Sequence, residues 1–224
     1  MPANAGFPYD HLYDAVDIVT APTIPCQLAQ TLKVLIIGNS ISFHPSLPSI
    51  GWLNEWGMAA TIERNDYRHI TATLLANMVC ATVTVKEVSA WLWERDFDTI
   101  SMSLFQVYRD WLPDIVIFRM GDNIQESDTR FAVLAMHIER LMSYIDNGRG
   151  IGKIATRTFY PRPTVTSKIA DAATLYNYAY IDWGDLYSDI TNRAISEQPS
   201  IDPAVGDHPG DRGMKRIAGA VFPV

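Results

Sequence analysis

Two short apolar runs stand out from an otherwise mixed chain. Val34-Leu35-Ile36-Ile37 is entered from Lys33 and stops at Gly38, and Ile115-Val116-Ile117-Phe118 follows Asp114 and stops near Gly121. Runs of this length, apolar at every position, suit strands buried on both faces of a parallel sheet. Weaker strand candidates are Val83–Val88, Lys153–Phe159 and Ala179–Leu186. Between them the apolar period changes to that of a helix. Phe131, Leu134, Ala135, Ile138, Leu141, Met142 and Ile145 fall on one stripe, with Asp128 as the expected N-cap and Asn147-Gly148 as the stop. Met214, Ile217, Ala218 and Val221 make a similar stripe in a terminal helix that Asp211 is placed to cap. Strands alternating with helices imply βαβ units and a sheet covered on both sides. The expected fold is therefore α/β, a three-layer α/β/α sandwich. Residues 1–31 carry scattered Pro, Ala, Thr and Asp with no sustained period, and are read as an arm packing on a single domain of residues 32–224.

Composition narrows the classes. With 224 residues, 48% of them apolar, one domain can bury a full core without disulfides or metals. A formal net charge of -7 argues against a nucleic-acid partner. Cys26 and Cys80 are the only two cysteines and are read as free thiols. The opening MPANAGFPYD lacks a basic segment followed by an apolar run, so no signal peptide is expected. That favours the cytoplasm slightly and leaves secretion open. No apolar stretch approaches the roughly 20 residues of a membrane helix, so no membrane partner is expected. The oligomeric state is not legible.

Ligands of open parallel sheets bind beyond the C-terminal strand ends, and three segments fall there. Gly38-Asn39-Ser40 follows the first strong strand and presents a hydroxyl. Gly121-Asp122-Asn123 follows the central strand and offers an amide donor for a developing oxyanion. Gly206-Asp207-His208-Pro209-Gly210 precedes the terminal helix and offers a base. Each alone reads as an ordinary turn. Their joint occurrence, in that order, resembles the SGNH (GDSL-like) hydrolases. In that family the first block is usually Gly-Asp-Ser, the third Gly-x-Asn, and the fifth a His followed by Pro and a terminal helix. The stretch from Ile50-Gly51-Trp52 to Asp66-Tyr67 resembles a bacterial esterase branch of the family.

The resemblance runs from about Lys33 to the C-terminus. It implies a flavodoxin-like fold with a mostly parallel five-stranded sheet, and ester hydrolysis through an acyl-enzyme. Ser40 is then the nucleophile and His208 its base, with the Ser40 N–H, an N–H at Ala90 and the Asn123 amide as oxyanion donors. Two family features are missing. The second block reads Val88-Ser89-Ala90-Trp91, without its Gly, and the position three before the His holds Val205 instead of Asp. Asp207, Asp202 and Glu94 are candidates to orient His208, and a main-chain carbonyl is the alternative. Asn39, His44 and Trp91 are expected to line the pocket, with His44 also a rival base.

The remaining histidines, His11, His69 and His137, lack metal-ligand spacing, so neither a metal nor another cofactor is expected. A flavodoxin-like nucleotide binder would need a phosphate-cradling Gly-rich loop, which is absent. Trp52, Trp56, Trp91, Trp93 and Tyr67 are candidates for sugar stacking, with at least half expected in the core. The substrate expectation is a small acyl ester, acetyl foremost, on a small molecule or glycan. The alternative is a non-catalytic glycan-binding or scaffold domain on the same fold.

Overall fold

The computed structural model describes residues 12–23 and 30–222. The strands are β1 (Tyr13–Asp14), β2 (Ile18–Thr20), β3 (Thr31–Gly38), β4 (Thr82–Ser89), β5 (Ile115–Phe118), β6 (Gly152–Thr156) and β7 (Ala179–Ile181). The helices are α1 (Tyr67–Val79), α2 (Trp91–Asp96), α3 (Gln106–Asp110), α4 (Phe131–Asp146), α5 (Pro163–Tyr176), α6 (Ala194–Glu197), α7 (Pro203–Gly206) and α8 (Asp211–Val221).

Five strands run parallel in the order β4-β3-β5-β6-β7. That is the flavodoxin-like arrangement, in which the chain reverses direction across the sheet beside the first strand. The described part of the arm does more than pack on the domain: β1 and β2 add antiparallel to the outer edge of β4, covering backbone that would otherwise be an open edge. Among the described residues the sheet thus has seven strands.

Side-chain alternation along β3 divides the core. Val34 and Ile36 face α1 and α8 with Tyr67, Leu75, Met214 and Ile217. Leu35 and Ile37 face the other layer with Trp93, Phe118, Leu134, Leu141 and Ile169. All four strand residues are fully buried, as the unbroken apolar run requires. No helix among the described residues is long and apolar enough to cross a membrane.

Several local expectations are revised. Asp128 does not cap α4; its carboxylate instead accepts from the Arg130 N–H at 2.8 Å and ion-pairs with the Arg130 side chain. Asn147 does end α4, in the left-handed conformation at φ 51°. Asp211 is the first residue of α8 and Gly210 its N-cap. The Asp211 carboxylate reaches across to Thr61 and Asn65. Cys80 is disulfide-bonded and so is not a free thiol; Cys26 lies outside the described residues, as does His11.

Candidate active site

β3 and β5 are neighbours, so the turns that leave their C-terminal ends are neighbours too. After β3 the chain folds back at once: the Ser42 and Phe43 N–H groups both donate to the Asn39 carbonyl, at 2.9 and 3.0 Å. Gly38 is forced by this turn. A Cβ there would sit 2.3 Å from Ser42 Oγ and 2.9 Å from Glu87 Oε1. Gly38→Ala should therefore cost about 1–3 kcal/mol of stability, read as a lowered melting temperature. Ser40 lies at the head of the turn, half-buried, with its carbonyl accepting from the Met58 N–H at 2.9 Å. No acceptor among the described residues takes the Ser40 N–H.

The segment between α7 and α8 brings His208 to the same place. Its N–H donates to the Val205 carbonyl and its carbonyl accepts from the Ala194 N–H, fixing the backbone on both sides. Ser40 Oγ and His208 Nε2 are 2.9 Å apart, and His208 Nδ1 is 2.9 Å from the Ala204 carbonyl. A carbonyl only accepts, so Nδ1 carries the proton and Nε2 is the lone-pair nitrogen facing the serine hydroxyl. Burial, and after it the nearby His44, pull His208 down to about 4, which keeps the imidazole neutral. The Tyr160 ring stands edge-on to it, 5.9 Å between centroids.

None of the three acids considered as orienting groups touches Nδ1. Asp207 points away, to Arg193 Nη1 at 2.9 Å and the Tyr187 hydroxyl at 3.0 Å. Asp202 caps α7 through the Ala204 N–H. Glu94 is buried on α2, and its partners lie in the turns after β3 and β5. Val205, at the position where the SGNH pattern has Asp, is fully buried in α7. The partner of Nδ1 is the Ala204 carbonyl, so Ser40 and His208 meet with no carboxylate on the far side of the imidazole.

Asn123 is drawn toward the serine turn by Glu94, which accepts from Asn123 Nδ2 at 2.5 Å and from Asn39 Nδ2 at 3.1 Å. Ala90 does not face this space. Its N–H donates to the Gly38 carbonyl at 2.6 Å, a final rung on the β3–β4 ladder, so the expected oxyanion role is not met.

Asn39 does not line a pocket either. It is fully buried, its Nδ2 bridging Glu94 Oε1 and Asp122 Oδ2, both at 3.1 Å. An Asp at this position, usual in the SGNH pattern, would add a third carboxylate to two already buried. Asn instead supplies the donor they need. Burial raises Asp122, but the Arg119 guanidinium and the Tyr160 N–H outweigh it and hold Asp122 below its usual range. Arg119 is thus a structural cation, paired with Asp122 inside the protein. The other Asp122 oxygen accepts the Phe159 and Tyr160 N–H groups, which anchors the loop after β6. Glu94 has no such cation; burial and then Asp122 push it up to about 7.

His44 is buried, which lowers its pKa, and its Nδ1 is 2.6 Å from the Pro45 carbonyl; it also lies close enough to His208 to help lower that residue's pKa. Trp91 is half-buried under the Arg95 guanidinium, 4.9 Å from the ring centroid. Trp52, Trp93 and Tyr67 are core residues and Trp56 is half-buried. His137 is buried beside Phe97. No metal-binding cluster occurs among the described residues. The residues that pattern reading passed over are Asp122, which stood only as the variable position of Gly121-Asp122-Asn123, and Ala204, whose contribution is a main-chain atom.

No family model matches the sequence, and no curated protein matches it. Solved structures do resemble it. A family two carbohydrate esterase from Cellvibrio japonicus superposes with a TM-score of 0.56 at 15% identity, over 89% of this chain and 62% of that one. A protein described as a GDSL-like lipase from Parabacteroides merdae gives 0.52 at 14%, over 88% and 96%. A salicylyl-acyltransferase from a tetracycline biosynthetic pathway gives 0.58 at 14%, over 86% and 53%. The chain spans about three fifths of the carbohydrate esterase, about half of the acyltransferase and nearly all of the lipase-like protein. At these identities the likeness is one of architecture: this protein has the flavodoxin-like fold of the SGNH (GDSL-like) hydrolases.

Proposed function

We propose that this protein is a serine esterase or deacylase that hydrolyses small acyl esters, acetyl esters foremost, through an acyl-enzyme on Ser40. The observation that carries the reading is the Ser40 Oγ–His208 Nε2 contact of 2.9 Å, with the imidazole held in the tautomer that accepts a proton. Ser40 Oγ attacks the ester carbonyl carbon as its proton passes to His208 Nε2. The oxyanion forms beside the Ser40 N–H and the Asn123 amide. Collapse breaks the bond to the leaving oxygen, which takes the proton from His208 and departs as the alcohol. A water then attacks the acyl-Ser40 carbonyl, giving its proton to His208, and the acid leaves as Ser40 Oγ recovers that proton.

Carbohydrate esters are the favoured substrate class. Two similar folds belong to carbohydrate esterases from Cellvibrio japonicus and Clostridium thermocellum, which supports this reading. The test is rapid quenching with p-nitrophenyl acetate followed by peptide mass analysis, with butyrate and octanoate esters compared for turnover. An acetyl adduct on the Ser40 peptide and a preference for acetate are expected. An adduct confined to another residue would overturn the nucleophile assignment. No adduct and no turnover on any ester would favour a non-catalytic glycan-binding domain.

A further inference from the structure

Glu94 is 1% exposed and belongs to neither the nucleophile nor the base. Its Oε1 accepts from the Gly121 N–H at 2.5 Å, the Asn123 N–H at 3.3 Å and Asn39 Nδ2 at 3.1 Å, and its Oε2 accepts from Asn123 Nδ2 at 2.5 Å. One carboxylate thus gathers four N–H donors, all from the two turns that carry Ser40 and Asn123. We infer that Glu94 is the positioning residue of the oxyanion hole, locking the Asn123 amide so that its nitrogen, and not its oxygen, serves the developing negative charge. The inference rests on the reading of Ser40 as nucleophile.

The physical argument concerns amide orientation. An asparagine side chain has nearly the same shape after a half-turn about its last bond, yet the turn exchanges two donors for an acceptor. Only the nitrogen stabilises an oxyanion. A carboxylate opposite Asn123 attracts Nδ2 and repels Oδ1, so the orientation is fixed, and Nδ2 keeps a second hydrogen for the substrate. The same carboxylate ties that amide to Asn39, next in sequence to Ser40. A precise donor position is what an oxyanion hole requires, because the stabilisation is preorganised.

Glutamine is the decisive substitution because it keeps the shape and loses the chemistry. It has one acceptor end and one donor end. Either way round, its NH2 group meets a donor, the Gly121 N–H or Asn123 Nδ2, and in the second case the clash is relieved by turning Asn123 over. A merely structural Glu94 predicts the opposite. Near Glu94 stand the Asp122 carboxylate, itself paired with Arg119, and the neutral amides of Asn39 and Asn123. Removing one buried charge from that group would then leave turnover intact.

The test is kcat and KM on p-nitrophenyl acetate for wild type, Glu94→Gln, Asn123→Ala and the double variant, with thermal melts alongside. Glu94→Gln should lower kcat about 10- to 100-fold, less than or equal to the loss of a whole oxyanion donor, and leave KM nearly unchanged. In the Asn123→Ala background it should cost nothing further, because the group it positions is gone. A folded Glu94→Gln with wild-type kcat, or losses that multiply in the double variant, would overturn the inference. Should Glu94→Gln fail to fold, the Asn123 side-chain amide resonance of 15N-labelled wild type carries the test: it must move across the same pH range as kcat, and a silent amide overturns the inference. A Ser40→Ala variant that retained turnover would instead sink the functional reading beneath it, so the two failures are distinguishable.

Discussion

Ser40→Ala should lower kcat/KM for p-nitrophenyl acetate about 10^4-fold or more, His208→Ala should cost a comparable factor, and the double variant should be no worse than either single one. Nucleophile and base act as a unit, so removing either removes the covalent route, and what remains is binding and the oxyanion donors. The fold should survive the serine change, since Oγ has His208 as its one side-chain partner among the described residues. The site has a carbonyl where a triad has an acid, which makes a second variant informative. The Ala204 carbonyl sets the tautomer without supplying a charge to hold the imidazolium. Asp207, engaged with Arg193 and Tyr187, has no part in it. Asp207→Asn should therefore stay within about threefold of wild type, where losing a true triad acid costs about 10^4-fold. A large loss in Asp207→Asn would mean that the segment carrying His208 rearranges when substrate binds.

The parts of this site that were legible in the sequence are those announced by side chains at strand ends. An apolar run closing on Gly38 places Ser40, a second closing near Gly121 places Asn123, and a Pro-flanked His before the last helix places the base. The rest depends on main-chain atoms or on register. Ala204 orients His208 through its carbonyl, which any residue would provide. Ala90 is withdrawn from the site because the β3–β4 ladder runs one rung further than strand propensity reveals. Asn39 sits beside Ser40 in sequence, yet its side chain turns inward because two buried carboxylates need a donor there. Glu94 enters the sequence reading as a candidate to orient His208, and only the fold shows four donors from the turns after β3 and β5 converging on it instead. β1 and β2, of two and three residues, are too short to carry a period.

Kcat/KM should fall about 100-fold between pH 8 and pH 4, in two steps that belong to different residues. The lower step, near 4, is protonation of His208, whose burial keeps it a competent base down to that point. The upper step, near 7, is protonation of Glu94, which gains a hydrogen where its surroundings offer only donors and loosens Asn123 as glutamine would. Glu94→Gln should accordingly show a flat profile through pH 7 and keep only the lower limb. Stability runs the other way. The folded-state value of Glu94 lies above the unfolded one, so its contribution is fully present below about 4.5 and is lost as pH rises through about 7, worth at most about 3 kcal/mol. Glu87, buried and pushed up to about 8, adds to the same decline. Asp122 and Asp66, held below their usual range by Arg119 and by His69 with Arg68 against the effect of burial, oppose it by losing their contribution as pH falls through their lowered values. His208, pulled down to about 4, and His44 and His137, also lowered by burial, lose their contribution as pH falls below about 6.5 and offset the two glutamates there. The melting temperature should therefore decline from about pH 6.5 toward pH 8, where Glu94 and Glu87 act unopposed, while activity rises. The decline should be shallower in Glu94→Gln, and a melting temperature that rose with activity across this range would show that Glu94 is ionised in the folded protein well below pH 7.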